Sequence, residues 1–136
     1  THRLWMISPN LDTIGVGSTD AFSCMWVAGG PFVREPDFVA WPPPGPFPAE
    51  AGRADFTGWS VQSNTINLVG STVRVTVDGV DQPVEMRQLR AEGGAAHGVA
   101  FIPQGWGSEV GKTYRVEVEG RDAPISYEVE MIDCAE

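Results

Sequence analysis

The chain has 136 residues, with 18 acidic against 9 basic side chains and a formal charge of −9. Such a surface repels phosphate backbones and anionic membranes, which argues against a nucleic-acid partner, and no apolar run approaches the roughly 20 residues that span a bilayer. Sixteen Gly, 11 Pro and 5 Trp with few helix signals favour strands joined by turns.

In chain order, Leu4-Trp5-Met6-Ile7 precedes Pro9, whose effect on its neighbour ends any helix there. Two apolar runs follow, Thr13 to Ser18 and Phe22 to Val27, on either side of the polar turn Ser18-Thr19-Asp20. That arrangement predicts a hairpin within residues 1–30. Residues 31–56 differ in kind: Pro31, Pro36, Pro42-Pro43-Pro44, Pro46 and Pro48 force extended backbone. Phe32, Phe38, Trp41 and Phe47 punctuate them and predict a rigid connector anchored by aromatics.

From residue 57 the period becomes two. Val73, Val75 and Val77 alternate with Arg74 and Thr76, Val84 and Met86 with Glu85 and Arg87, and Tyr114, Val116 and Val118 with Arg115 and Glu117. Tyr127, Val129 and Met131 alternate with Glu128 and Glu130. A face that repeats polar residues meets water, so these are half-buried, mostly antiparallel strands. Asp78-Gly79 with Asp81-Gln82-Pro83, Gly93-Gly94, Pro103-Gln104-Gly105 and Gly120-Arg121-Asp122 are turn signals. With Trp59-Ser60-Val61 and Val99 to Ile102 they give at least six strands at the spacing of a sandwich. The expected fold is mainly β, an immunoglobulin-like antiparallel β-sandwich over residues 57–136.

Residues with chemistry to offer are few. Cys24 and Cys134 have no zinc-ligand or CxxC spacing. If they pair, the long closed loop is worth about 4–5 kcal/mol in the chain-entropy account and ties the N-terminal segment to the last strand; the alternative is two buried thiols. His2 beside a terminal amine, and His97 in a glycine-rich loop, are weak candidate metal ligands; each is otherwise an ordinary histidine. No GxSxG elbow or DxDxDG loop occurs, and the strand glutamates read as a solvated face. No cofactor is expected. Trp26, Trp41 and Trp59 read as core or connector anchors, while Trp5 and Trp106, near turns, offer a possible binding platform.

His2-Arg3-Leu4-Trp5-Met6-Ile7-Ser8-Pro9, followed by Ile14-Gly15-Val16-Gly17, resembles the second half of the CAP domain, the superfamily of cysteine-rich secretory proteins, antigen 5 and pathogenesis-related proteins. Phe38 to Gly45, then Trp59-Ser60, looks like the connection that follows this domain in secreted bacterial proteins, where a β-sandwich comes next. The resemblance implies secretion and makes residues 1–30 a CAP-like hairpin. It places only the second cleft histidine, as His2; Thr1 stands where the family has Gly, and the remaining cleft residues would precede it. The expectation is therefore a non-catalytic secreted module that binds a protein partner, or itself, by surface recognition or strand addition. The alternatives are a C-terminal fragment of a processed CAP protein that needs its upstream fragment, and a metal-binding protein or hydrolase.

Overall fold

Wherever apolar and charged residues alternate, the backbone is extended. The computed structural model describes residues 2–30, 36–52, 58–90 and 94–134. Thr1, Pro31, Phe32 and Gly93, named above, lie outside these residues. Among these residues one short helix, α1 (His2–Met6), precedes eleven strands: β1 (Leu11–Ser18), β2 (Ser23–Gly29), β3 (Val39–Trp41), β4 (Gly45–Pro48), β5 (Trp59–Ser63), β6 (Thr72–Val77), β7 (Val80–Gln82), β8 (Val84–Gln88), β9 (His97–Pro103), β10 (Thr113–Glu119) and β11 (Pro124–Ile132). The protein is mainly β.

Strands β3 to β11 make two sheets, one ordered β3-β5-β9-β8 and the other β4-β11-β10-β6-β7. Val75, Val116, Val118, Tyr127, Val129 and Met131 from the five-stranded sheet share one core with Trp59, Val61, Val99 and Phe101 from the four-stranded sheet. Burying each such side chain contributes about 1.5–3 kcal/mol. The charged alternates point outward. On the five-stranded sheet they form a row, Asp81 to Arg74 (2.7 Å), Arg74 to Glu117 (3.6 Å), Glu117 to Arg115 (3.2 Å) and Arg115 to Glu128 (3.9 Å). Exposed pairs of this kind are individually weak, so the row keeps the face wet more than it stabilises the fold.

The proline-rich stretch does more than connect. Residues Val39–Trp41 pair antiparallel with β5, and Gly45–Pro48 pair parallel with β11, so one short segment supplies an edge to each sheet. Prolines tolerate this because β4 has a neighbour on one side only. The N–H of Ala49 donates to Ile132 O at 3.0 Å, and Pro46 and Pro48 occupy the alternate register. This pairing is parallel, an exception to the antiparallel expectation. The Asp78-Gly79 signal closes a tighter hairpin than the sequence suggests. Both residues have positive φ, 51° and 77°, and join β6 to β7 alone. Pro83 then ends β7, and the chain crosses to the other sheet as β8.

The Tyr127 hydroxyl is buried with no hydrogen-bond partner, beside the Phe38 ring at 5.7 Å. Burial pushes this phenol well above its ordinary value of 10.0. Below pH about 10 both folded and unfolded chains hold the proton; above it the unfolded chain ionises first, so stability falls with rising pH. Tyr127→Phe is expected to leave stability at pH 7 unchanged or raise it by up to ~1 kcal/mol, since an unpaired polar group is removed, and to flatten the loss above pH 10. Phe101→Ala is expected to cost about 3–5 kcal/mol. Urea denaturation across pH 7–11 measures all three.

Candidate functional site

The N-terminal thirty residues attach to the sandwich through backbone and amide chemistry. In α1 the N–H of Ile7 donates to Arg3 O at 3.1 Å, and Pro9 follows within three residues of its end. Five residues are too few for an autonomous helix; packing holds it. Leu4 is buried, its carbonyl accepts from Gln62 Nε2 at 3.4 Å, and the Arg3 guanidinium donates to Gly58 O while lying over the Trp41 ring, 5.5 Å from its centroid. Gln62 pairs in register with Gly98, and Ser60 with Ala100, on the sheet face turned away from the core. The helix therefore sits on the outer face of the four-stranded sheet.

Next to it is a polar clamp. The Ser8 hydroxyl donates to Gly94 O, Asn10 Nδ2 donates to the same carbonyl at 2.7 Å, and Asn64 Nδ2 donates to Asn10 Oδ1 at 2.6 Å. Ala96 N–H in turn donates to Asn64 Oδ1 at 3.1 Å. Gly94 must be glycine: its φ is 98°, and a Cβ there would lie 2.7 Å from Ser8 Oγ.

Beyond the clamp, β1 and β2 form a two-stranded antiparallel ribbon. Gly30 N–H closes its base on Asn10 O at 2.8 Å, and Thr19 N–H closes its tip on Phe22 O at 2.7 Å. Directly opposed residues share a face. Ile14 with Val27 and Val16 with Met25 make one face; Gly15 with Trp26 and Gly17 with Cys24 make the other. Both are apolar, and both are open to solvent: Val16 is 76% exposed, Phe22 80%, Trp26 65% and Trp5 50%. From Thr13 to Gly30 the one charged residue is Asp20. Between α1 and β2 lies a hollow of about 600 Å³ lined by Trp5, Met6, Met25, Trp26 and Val27. Among the described residues its lining carries no ionisable side chain, and β2 pairs on one side only.

The residues singled out in the sequence are dispersed. Trp5 faces this hollow, whereas Trp106 stacks on Tyr114 at 5.4 Å, meets Trp59 edge-on at 5.6 Å and donates its indole N–H to Pro83 O at 2.7 Å. Trp5 shares the lining of the hollow with Trp26 of β2. Trp59 is core, as expected; Trp26, expected to be an anchor, is exposed, with no described residue covering it. His97 opens β9 half-buried opposite Ser63. His2 opens α1, its side chain outside the described structure. Among the described residues no three His, Cys, Asp or Glu side chains gather as a metal would require.

The expected Cys24–Cys134 disulfide is not formed, nor are the thiols buried: both are free and exposed. Cys24 lies near the ribbon tip opposite Gly17, and Cys134 follows β11 beside Pro48, Glu50 and Val110, so they border separate hollows. Their intended role passes to α1 and the clamp, which fix the segment to the four-stranded sheet instead of the last strand.

Met6, Met25, Trp26 and Val27 were missed as site residues. The available signal was β2 itself: Cys24-Met25-Trp26-Val27 has no polar alternate, the pattern of a strand covered on both sides. No helix among the described residues is long and apolar enough to cross a membrane. No family model, curated protein or solved structure matches the chain.

In the native protein, Cys24 and Cys134 should both react with a thiol reagent without denaturant. Intact mass spectrometry should then give two adducts per chain; zero adducts, with the mass two hydrogens lighter, would show a bridge.

Proposed function

We propose that this chain is a non-catalytic binding module that uses the open edge of β2 to take up an extended, uncharged segment of polypeptide. The observation that carries this reading is the hollow between α1 and β2. An unpaired strand edge forms one side, and two tryptophans, two methionines and a valine form the walls. Edge backbone supplies the hydrogen bonds of strand addition, and apolar walls select alternate side chains of the guest. Methionine and tryptophan adapt to varied apolar shapes. The sandwich serves as mount, and its order supports an immunoglobulin-like identity. Its first strand is split between sheets as β3 and β4, and Tyr114, at the start of β10, donates to Gly107 O at 2.9 Å and accepts from Glu109 N–H at 3.2 Å. The resemblance to secreted bacterial proteins is what supports a location outside the cell in this reading.

A second reading is favoured by one specific fact: the ribbon is apolar on both faces. Strands of that kind belong to sheets with a layer on each side, the α/β/α arrangement that the CAP resemblance implies. On this reading the chain is the C-terminal part of a CAP protein and its upstream fragment covers the ribbon.

Met25→Lys puts a charge in the hollow at a half-exposed position that the fold tolerates. Panning a displayed peptide library on the wild-type chain, counter-selected against this variant, is expected to enrich uncharged sequences that alternate apolar residues. Equal recovery on both proteins would remove the strand-addition reading. Intact-mass analysis of native material separates the second: a co-purifying polypeptide supports it and a lone species refutes it.

A further inference from the structure

We propose that residues 2–30 are a releasable strap, latched to the sandwich by Ser8, Asn10, Asn64 and Gly94, and that unlatching exposes the part of β5 around Gln62 on the outer face of the four-stranded sheet. This does not depend on what binds the ribbon. Three observations carry it. First, the segment has little to hold it by itself: a five-residue helix and a two-stranded ribbon are each marginal in isolation. Second, among the described residues its grip gathers at two places. One is α1, with Leu4 buried and its carbonyl accepting from Gln62. The other is the hydrogen-bond chain from Gly94 through Asn10 and Asn64 to Ala96, which joins the strap to the loops after β5 and before β9. Elements with few buried contacts open locally at far lower cost than the whole domain.

Third, what lies beneath is unlike an ordinary sheet interior. Ser60 and Gln62, with their register partners Ala100 and Gly98, form a small-residue, partly polar strip. Ser60 is 1% exposed, yet its hydroxyl has no hydrogen-bond partner. Gln62, two residues along the same face, is the strap's contact there, through Leu4 O; on the proposal, opening the strap returns the neighbouring Ser60 hydroxyl to water and relieves its missing hydrogen bond. The four strip residues are themselves uncharged, and the strip is bordered on β8 by Arg87, opposite Ala100, and its ion-pair partner Glu85 at 2.9 Å.

The test is thiol exposure at the strip combined with hydrogen exchange on the full chain. In a background where Cys24 and Cys134 are serine, Ser60→Cys is expected to label slowly. Adding Asn10→Ala should speed labelling by roughly ten-fold and raise exchange in β1 and β2 similarly, with β10 and β11 changed by less than about two-fold. Leu4→Ala, which loosens the other grip without touching the latch, should act the same way. Labelling that does not respond to either substitution overturns the proposal. So does an exchange increase shared equally by β10 and β11, which would mean that the strap unfolds only with the domain.

Discussion

Trp59 is where the two sheets, the proline-rich stretch and the loop before β10 come together. Its ring meets Phe101 at 6.1 Å on its own sheet and Tyr114 at 5.6 Å on the facing one, each edge-on. Its indole N–H donates to Gly52 O at 2.9 Å, which fixes the turn after β4. Trp106 closes the group by stacking on Tyr114, whose hydroxyl holds the loop backbone at Gly107 and Glu109. Gly58, just before Trp59, must have no side chain: a Cβ there would lie 2.5 Å from Phe101 O. The separation of the sheets, the position of the edge strands and the loop that shapes one end are set around this one indole. Every other valine layer then fills a gap of known width.

Legibility in the sequence followed burial on one side. Strands β6, β10 and β11 could be read because one face meets water, so polar or charged residues mark nearly every second position. Strand β5 has all five residues buried, and only its Trp and Val hint at which way they face. Its Ser60 and Gln62 look like solvent-facing alternates but are buried, and Gln62 meets α1 at Leu4, a contact between residues nearly sixty positions apart that no local pattern encodes. The same limit explains β3 and β4. Proline argues against a strand in the abstract, but an edge with one open side accepts it, and which segment becomes an edge is decided by the whole topology.

The candidate site was legible as a hairpin but not as a surface. Ile14-Gly15-Val16-Gly17 and Cys24-Met25-Trp26-Val27 show two apolar strands and a turn. Whether such strands end in a core or in the open depends on what packs against them, and here α1 meets β2 across an open hollow. The cysteines illustrate the converse. Long separation makes a bridge valuable in entropy, yet value does not bring two sulfurs together. Amide side chains at Asn10 and Asn64, unremarked in the sequence, carry out the fastening because their two ends donate and accept at once.

Lys112 is the one lysine in this sequence, and it pairs with Asp78 at 2.5 Å across the β6–β7 turn. Strand β10 begins immediately after it and runs seven residues, roughly 20 Å of extended chain, toward the end of the sandwich where Asn67 accepts from Arg121 N–H. Chemistry directed at side-chain amines thus has a single address, at the pole away from those loops. A support coupled there would hold every molecule the same way up, with the ribbon and its mount facing the solution.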